Sequence, residues 1–116
     1  MRVALVSVMS TRDVVTAQQI SVTCDCTLDE IDFAEFDYIV LPGGMPGTAH
    51  LRADERVCDL VREFAATKHV AAICAAPSIL GELGLLEGRR ATCFPGYEKT
   101  FPEGTSPVRP LITAHE

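Results

Sequence analysis

The sequence has no long apolar run, no excess of basic residues and no paired pattern of cysteines. Its apolar segments are far shorter than the roughly 20 residues that a helix needs to cross a bilayer, so no membrane span is expected. The 116 residues include 10 Lys and Arg against 16 Asp and Glu, a formal charge of −6. Scattered basic residues in an acidic chain argue against nucleic acid and anionic membranes as partners. Small molecules or proteins are the expected partners.

The spacing of the cysteines is unlike that of secreted proteins with disulfide bonds. The five lie at positions 24, 26, 58, 74 and 93, an odd number without paired spacing, which predicts reduced thiols in a reducing compartment. Cys24-Asp25-Cys26 has the form of half a metal site, but no second Cys/His pair at ligand spacing follows it. We therefore expect no metal and no cofactor. Residues 1–8 show neither the long apolar stretch nor the small-residue cleavage site that is typical of a secretory leader, so a cytoplasmic location is expected.

The length allows one hydrophobic core, so residues 1–116 are expected to form a single domain. With 47% hydrophobic and 22% charged residues, the composition is that of a globular protein. Residues 3–8 and 20–24 are predicted strands, rich in β-branched side chains, that could pair as a hairpin. Val14-Val15 could instead form a short strand within the connection, so the pairing stays open. Residues 28–36 are predicted as a short helical turn or loop.

The next segment predicts a βαβ unit. Residues 37–41 form a continuous apolar run that is stopped by Pro42, Gly43 and Gly44, as in a buried parallel strand that ends in a loop. A helix over residues 54–66 follows, with Asp54 as N-cap and apolar residues at helical spacing, namely Val57, Leu60, Val61, Phe64 and Ala65. With a second strand at residues 70–74, the strand ends at Gly44 and Cys74 should be neighbours.

Cys74 lies where this second strand gives way to a predicted helix over residues 75–83. Such a strand-to-helix turn has the form of a nucleophile elbow, and the positive end of a helix favours the nucleophilic thiolate. The small neighbours Ala72, Ala75 and Ala76 let other backbone approach the sulfur. The structural alternative is an inert core cysteine.

The rest of the chain is poor in helices. The elbow helix should end near Gly84, and a short strand is predicted at residues 90–93. Residues 94–110 have a loop composition, and residues 111–113 could form a last strand. A doubly wound sheet needs helices on both faces. Because the sequence predicts more strands than helices, one face of the sheet is expected to lack part of its helix layer.

Three segments carry a resemblance to a known family. DYIVLPGGMPG at 37–47, VAAICAAP at 70–77 and LLEGRRATCFPG at 85–96 resemble the ThiJ/PfpI family of the class I glutamine amidotransferase-like superfamily. The resemblance runs from about residue 12 to residue 101. It implies an α/β, flavodoxin-like three-layer sandwich with a mostly parallel sheet. The fold would be incomplete here, because the family's first strand and helix and its last helix have no counterpart. It also implies a homodimer.

The resemblance also assigns a site. Cys74 corresponds to the family's reactive cysteine, and Gly43 belongs to the adjoining site loop. Gly44 and Ala75 correspond to positions whose backbone amides form an oxyanion-type pocket. The glutamate that the family usually supplies from a helix after its first strand has no counterpart before Glu30, and Phe94 stands where many members have histidine.

Two classes of function follow. In the first, a glyoxalase- or deglycase-type enzyme in its complete form, Cys74 adds to a small aldehyde or glycated group, and Glu98 or water would transfer the proton. Turnover by this chain alone should then be poor. The alternative is a non-enzymatic redox-sensing or chaperone-like domain linked to oxidative stress, or an inactive fragment. Arg12, His50 and His69 are expected at the surface, and the other four cysteines are expected to be structural.

Overall fold

The computed structural model describes residues 2–101 and 105–107 as an alternation of short strands and helices. The strands are β1 (Val6–Ser7), β2 (Asp13–Val15), β3 (Ser21–Thr23), β4 (Cys26–Thr27), β5 (Tyr38–Leu41), β6 (His69–Ala72), β7 (Arg90–Ala91) and β8 (Ser106–Pro107). The α-helices are α1 (Gly47–Ala53), α2 (Glu55–Thr67) and α3 (Pro77–Glu82). Short 3-10 turns cover Leu28–Glu30, Phe33–Glu35 and Glu98–Thr100.

The N-terminal pairing follows the second of the two alternatives. β2 and β3 form the antiparallel hairpin, with Val14 opposite Val22, whereas β1 pairs in parallel with β4. Of the strand predicted over residues 3–8, only Val6–Ser7 forms β1. The Asp25 carboxylate accepts a hydrogen bond from the amide of Leu5 at 2.7 Å, which holds this edge of β1 to the β3–β4 connection.

The region of residues 28–36 forms 3-10 turns, as its pattern predicted. The first turn is bound to the hairpin by Arg12, whose Nε and Nη2 donate to the two carboxylate oxygens of Glu30 at 3.2 and 3.1 Å. The Arg12 hydrogen bond, together with one from the Thr27 amide, lowers the pKa of Glu30 to about 2. Lys68 anchors the second turn, because its Nζ donates to the carbonyl oxygens of Phe33, Ala34 and Phe36.

The βαβ unit is confirmed. β5 and β6 pair in parallel, with Leu41 opposite Ala72. α2 begins after Asp54, whose carboxylate accepts from the Arg56 amide at 2.9 Å. Of the predicted apolar stripe of α2, Val57, Val61 and Phe64 are buried, Leu60 is half-buried and Ala65 is exposed. The core cluster consists of Leu41, Val57, Val61, Ala76 and Ile79.

Helix α1 lies between β5 and α2, where the sequence predicted no helix. Its N-cap is Pro46, which has no side-chain acceptor, so the usual signal for a helix start is missing. Tertiary packing supplies what the cap does not, because Thr48 is buried and Leu51 packs against the core. His50 lies exposed within α1.

The elbow helix is shorter than predicted at both ends. α3 begins at Pro77, and the chain turns out of helical geometry at Gly84, whose φ is +76°. β7 lies within the strand predicted at residues 90–93. It pairs in parallel with β8, which lies in the segment 94–110 whose composition predicted a loop. The predicted strand at residues 111–113 lies outside the described residues.

The helices cover one face of the β5–β6 ladder. Ile39, Val70 and Ala72 pack against the core on the α2 side. On the opposite face Tyr38 and Val40 are each 62% exposed, and so is Ile73 just beyond β6. The under-supplied helix layer is therefore visible in residues 2–101 and 105–107 as a bare apolar face. No helix in that part of the chain is long and apolar enough to span a membrane.

Candidate site at the Cys74 elbow

Cys74 lies in a tight turn between β6 and α3. Its φ is +59°, in the left-handed region, and it is the exposed one of the five free cysteines. The Ala76 amide donates to the carbonyl oxygen of Ile73 at 3.0 Å, which closes the turn around Cys74. A left-handed conformation costs a residue with a Cβ on the order of 1–2 kcal/mol, so the surrounding hydrogen bonds must hold it.

Two further hydrogen bonds fix the turn from either side. The Ile73 amide donates to the carbonyl oxygen of Leu41 at 3.3 Å and continues the pairing with β5. The Phe94 amide donates to the carbonyl oxygen of Cys74 at 2.7 Å. The elbow is thus held between the end of β5 and the segment after β7. The strand-to-helix placement that the sequence predicted for Cys74 is confirmed.

Gly43 touches the elbow directly. A Cβ at this position would lie 2.6 Å from the Cβ of Cys74, 3.1 Å from the carbonyl oxygen of Ile73 and 3.2 Å from the amide nitrogen of Ala75. Only glycine fits such a contact without displacement of the backbone. The predicted meeting of the two strand ends is therefore confirmed, with Gly43 at the contact.

The backbone amide of Gly44 lies on the loop after β5, and that of Ala75 lies on the elbow directly after Cys74. Within residues 2–101 and 105–107, neither amide donates a hydrogen bond to another group. Their carbonyl oxygens are occupied: that of Gly44 accepts from the Thr48 amide at 2.8 Å, and that of Ala75 accepts from the Ser78 hydroxyl at 2.6 Å. Gly44 and Ala75 are thus anchored through their carbonyl groups, while their own N–H groups stay available as donors in the described structure.

In the described part of the chain, no carboxylate or imidazole forms a hydrogen bond with the Cys74 sulfur. Phe94, in the place of the expected histidine, is exposed and meets Tyr97 edge to face at 6.4 Å. The Glu98 side chain, the predicted proton carrier, lies outside the described part of the structure.

The remaining polar candidates do not converge on Cys74. His69 is exposed at the start of β6, as predicted, and its ring stacks on Tyr38 at 4.7 Å, at the end of that strand away from Cys74. Arg12 is exposed at the surface, as predicted, and its guanidinium is paired with Glu30. Among the described residues, no group of three or more His, Cys, Asp or Glu side chains could hold a metal ion.

Sequence reasoning missed Thr48, which lies one turn after Gly44 in the unpredicted α1. Thr48 is 3% exposed, and its Oγ1 has no hydrogen-bond partner in the described structure. A threonine after a Pro-Gly pair carries no local signal of burial, which arises here from tertiary structure, where α1 packs against α2 and α3.

Comparison with known proteins identifies the family. The profile of the DJ-1/PfpI family matches residues 1–108. A deglycase of Pyrococcus horikoshii is 42% identical over 79 residues, which are 67% of this chain and 47% of that protein. A protein/nucleic acid deglycase of Escherichia coli is 41% identical over 73 residues, which are 62% of this chain and 42% of its own. The chain thus spans about half the length of these relatives.

Solved structures show the same fold. Oxidized DJ-1 of Toxoplasma gondii is 30% identical and superposes with a TM-score of 0.81 over 89% of this chain and 57% of its own. A DJ-1 superfamily protein of Salmonella typhimurium is 38% identical, with a TM-score of 0.77 over 86% of this chain and 55% of that one. The parallel strands and helices described above are therefore part of a flavodoxin-like α/β sandwich, as predicted. The chain belongs to the DJ-1/PfpI family, which the ThiJ/PfpI resemblance of its motifs indicated.

Proposed function

We propose that Cys74 is the reactive thiol of a glyoxalase- or deglycase-type site that acts on small aldehydes or glycated groups. The observation that carries the proposal is the exposed sulfur on a left-handed elbow, beside two backbone amides without a partner in the described structure. Relatives named deglycases at 41–42% identity support this class of chemistry. Because the chain spans about half of those relatives, their activity enters here as part of the proposal.

The chemistry begins with addition to a carbonyl. The Cys74 thiolate attacks the carbonyl carbon, a C–S bond forms, and the π electrons of the C=O bond move to the oxygen, which takes a proton. The product is a hemithioacetal. Gly44 and Ala75 would donate their N–H groups to the oxygen while its charge develops; in other enzymes, loss of one such donor lowers kcat on the order of 10²–10³-fold.

Proton transfer is the demanding step for this chain. General acid–base catalysis contributes on the order of 10²–10⁴-fold. With no carboxylate or imidazole bonded to the sulfur in the described structure, Glu98 or water would have to transfer the proton. We therefore expect this chain to form the adduct readily and to turn over slowly.

The test measures protection of each cysteine from alkylation. The native chain is treated with iodoacetamide with and without glyoxal, and modification is followed by peptide mass spectrometry. We expect glyoxal to protect Cys74 in a saturable manner, and we expect Cys74→Ala to abolish aldehyde consumption while Cys24→Ala does not. Aldehyde consumption that is unchanged in Cys74→Ala would overturn the proposal.

The bare sheet face favours a second candidate function, a non-enzymatic interaction or chaperone-like role. Tyr38, Val40 and Ile73 expose large apolar side chains on one side of a parallel ladder. Parallel sheets are almost always covered on both faces, and exposed apolar patches mark interaction sites. Self-association through this face would give the homodimer that the family resemblance implies. The expected setting is the cytoplasm, where free thiols stay reduced.

Light scattering and binding of an apolar dye test this second function. We expect Val40→Glu to lower dye binding and shift the chain towards monomer. Val15→Glu, at a similarly exposed position on the hairpin, is the matched control and should leave both unchanged. A monodisperse wild-type monomer that binds no dye would exclude the role. A redox-sensing role would instead require that peroxide oxidises Cys74 before the other four cysteines.

A further inference from the structure

A second thiol lies at the corner where α1 meets α2, away from the elbow. A cleft of about 400 Å³ opens here, lined by Arg52, Ala53, Glu55, Cys58, Asp59 and Arg62. Cys58 is 4% exposed, so only a small part of it reaches the cleft wall. The site therefore suits a small reagent rather than a macromolecule.

Arg52 contacts the Cys58 sulfur through two different groups. The thiol donates to the carbonyl oxygen of Arg52 at 3.3 Å, and Nη1 of the same residue donates to the sulfur at 3.9 Å. The carbonyl oxygen can only accept, so it matches the protonated thiol. The guanidinium can only donate, so it matches a sulfur that has lost its proton. The sulfur thus has a partner in each protonation state.

The cleft wall carries charges of both signs. Arg52 Nε is paired with Glu82 at 3.0 Å, and Arg62 Nη1 is paired with Asp59 at 3.3 Å. A guanidinium has five N–H donors, so both arginines keep donors for a ligand carboxylate. Glu55 and Asp59 offer acceptors for an ammonium group. This combination matches a small ligand that carries both carboxylates and an amine.

We propose that Cys58 is a second thiol-modification site, which takes an amino-acid or peptide disulfide in this cleft. The deprotonated Cys58 sulfur attacks one sulfur of the disulfide R–S–S–R. The S–S bond breaks, a Cys58–S–S–R bond forms, and the leaving thiolate R–S⁻ takes up the proton that Cys58 lost. The disulfide is the oxidant, and the step needs no other reactant. It is independent of carbonyl chemistry at Cys74.

The experiment compares two disulfides of different charge on the full chain. Glutathione disulfide carries carboxylates and ammonium groups, whereas cystamine carries ammonium groups only. The rate of mixed-disulfide formation at Cys58 is measured by peptide mass spectrometry, and each rate is divided by that of the urea-unfolded chain to remove intrinsic reactivity. We expect the folded chain to prefer glutathione disulfide about tenfold at Cys58, since the guanidinium groups bind its carboxylates.

Two variants separate binding from stability. Arg52→Gln should clearly lower the preference, because it removes the guanidinium that faces the sulfur and leaves only that of Arg62 for the carboxylates. Glu82→Gln removes the same ion pair to α3 but leaves that guanidinium in place, so it should keep the preference. The proposal is overturned if Cys58 reacts only in the unfolded chain, if both disulfides give the same normalised rate, or if the two variants behave alike.

Discussion

The backbone of Gly43 lies so close to Cys74 that a Cβ on residue 43 would stand 2.6 Å from the Cβ of Cys74. Its neighbour Gly44 has open space around it but a φ of +89°. The two glycines are therefore required for different reasons, the first for contact and the second for backbone conformation. Through Gly43 the end of β5 fixes the position of the elbow.

Gly43→Ala should displace the Cys74 elbow, although residue 43 lies on a different segment, the loop after β5. The added methyl group must push Cys74 and Ala75 away, which we expect to lower the free energy of unfolding by about 1–3 kcal/mol and to change the alkylation rate of Cys74. Urea denaturation and iodoacetamide kinetics check both effects. Gly47→Ala is the control, because a Cβ there meets nothing within 4 Å, and it should keep both properties. A Gly43→Ala protein with unchanged stability and Cys74 kinetics would contradict the contact.

The left-handed conformation of Cys74 has a measurable cost. Glycine adopts a φ of +59° without strain, whereas alanine does not. We therefore expect Cys74→Gly to be more stable than Cys74→Ala by about 1 kcal/mol in urea denaturation, although the unfolded state of the glycine variant is more flexible. Cys93→Gly should be less stable than Cys93→Ala. The same order at both positions would show that the elbow imposes no strain.

Asp54 caps α2 at the corner that also forms the Cys58 cleft. Its carboxylate accepts from the amide and the side chain of Arg56, and the side-chain bond lowers the pKa of Asp54. Asp54→Ala should cost about 1 kcal/mol of stability, the usual effect of a lost N-cap. Asp54→Asn keeps an acceptor oxygen and should cost clearly less in the same thermal or urea unfolding. Equal losses in the two variants would show that the cap is not what stabilises the corner.

Acid should loosen the contact between the hairpin and the first 3-10 turn. Arg12 and Thr27 hold the pKa of Glu30 at about 2, below its ordinary value of 4.5, so the folded state favours the carboxylate. The stabilisation is complete above about pH 4.5 and is lost as the pH falls towards 2. Carboxyl NMR titration should show the low pKa in the wild type and a nearly ordinary one in Arg12→Gln.

A second measurement isolates Glu30 from other carboxylates, since Asp54 also has a lowered pKa. The difference in stability between wild type and Glu30→Gln should shrink as the pH falls from 4.5 to 2. A difference that stays constant over this interval would show that the ion pair does not link folding to pH.

The elements that sequence reasoning placed correctly are those whose signal is local. The stripe of α2, its Asp54 cap and the apolar run of β5 each follow from residues within one element. Cys74 could be placed at a strand end because an apolar run stops there and Pro77 tolerates the first turn of a helix. The chemical roles of Cys74, Gly43, Gly44 and Ala75 stay predictions that the cysteine experiments address.

Other features depend on contacts between residues far apart in the chain. α1 has no capping side chain and forms because Thr48 and Leu51 are enclosed by the rest of the core. The choice of hairpin was open in the sequence, since residues 3–8 and Val14-Val15 both have strand character. It was decided by β4, which pairs with β1 and leaves β2 to β3.

The sequence by itself therefore determined the α/β class, the βαβ unit and the turn that carries Cys74, because hydrophobic periodicity and glycine and proline punctuation act over a few residues. Only the tertiary structure decided which glycine touches the elbow, which arginine faces Cys58 and which sheet face stays bare. Those relationships join separate elements, and their distances depend on how the elements pack.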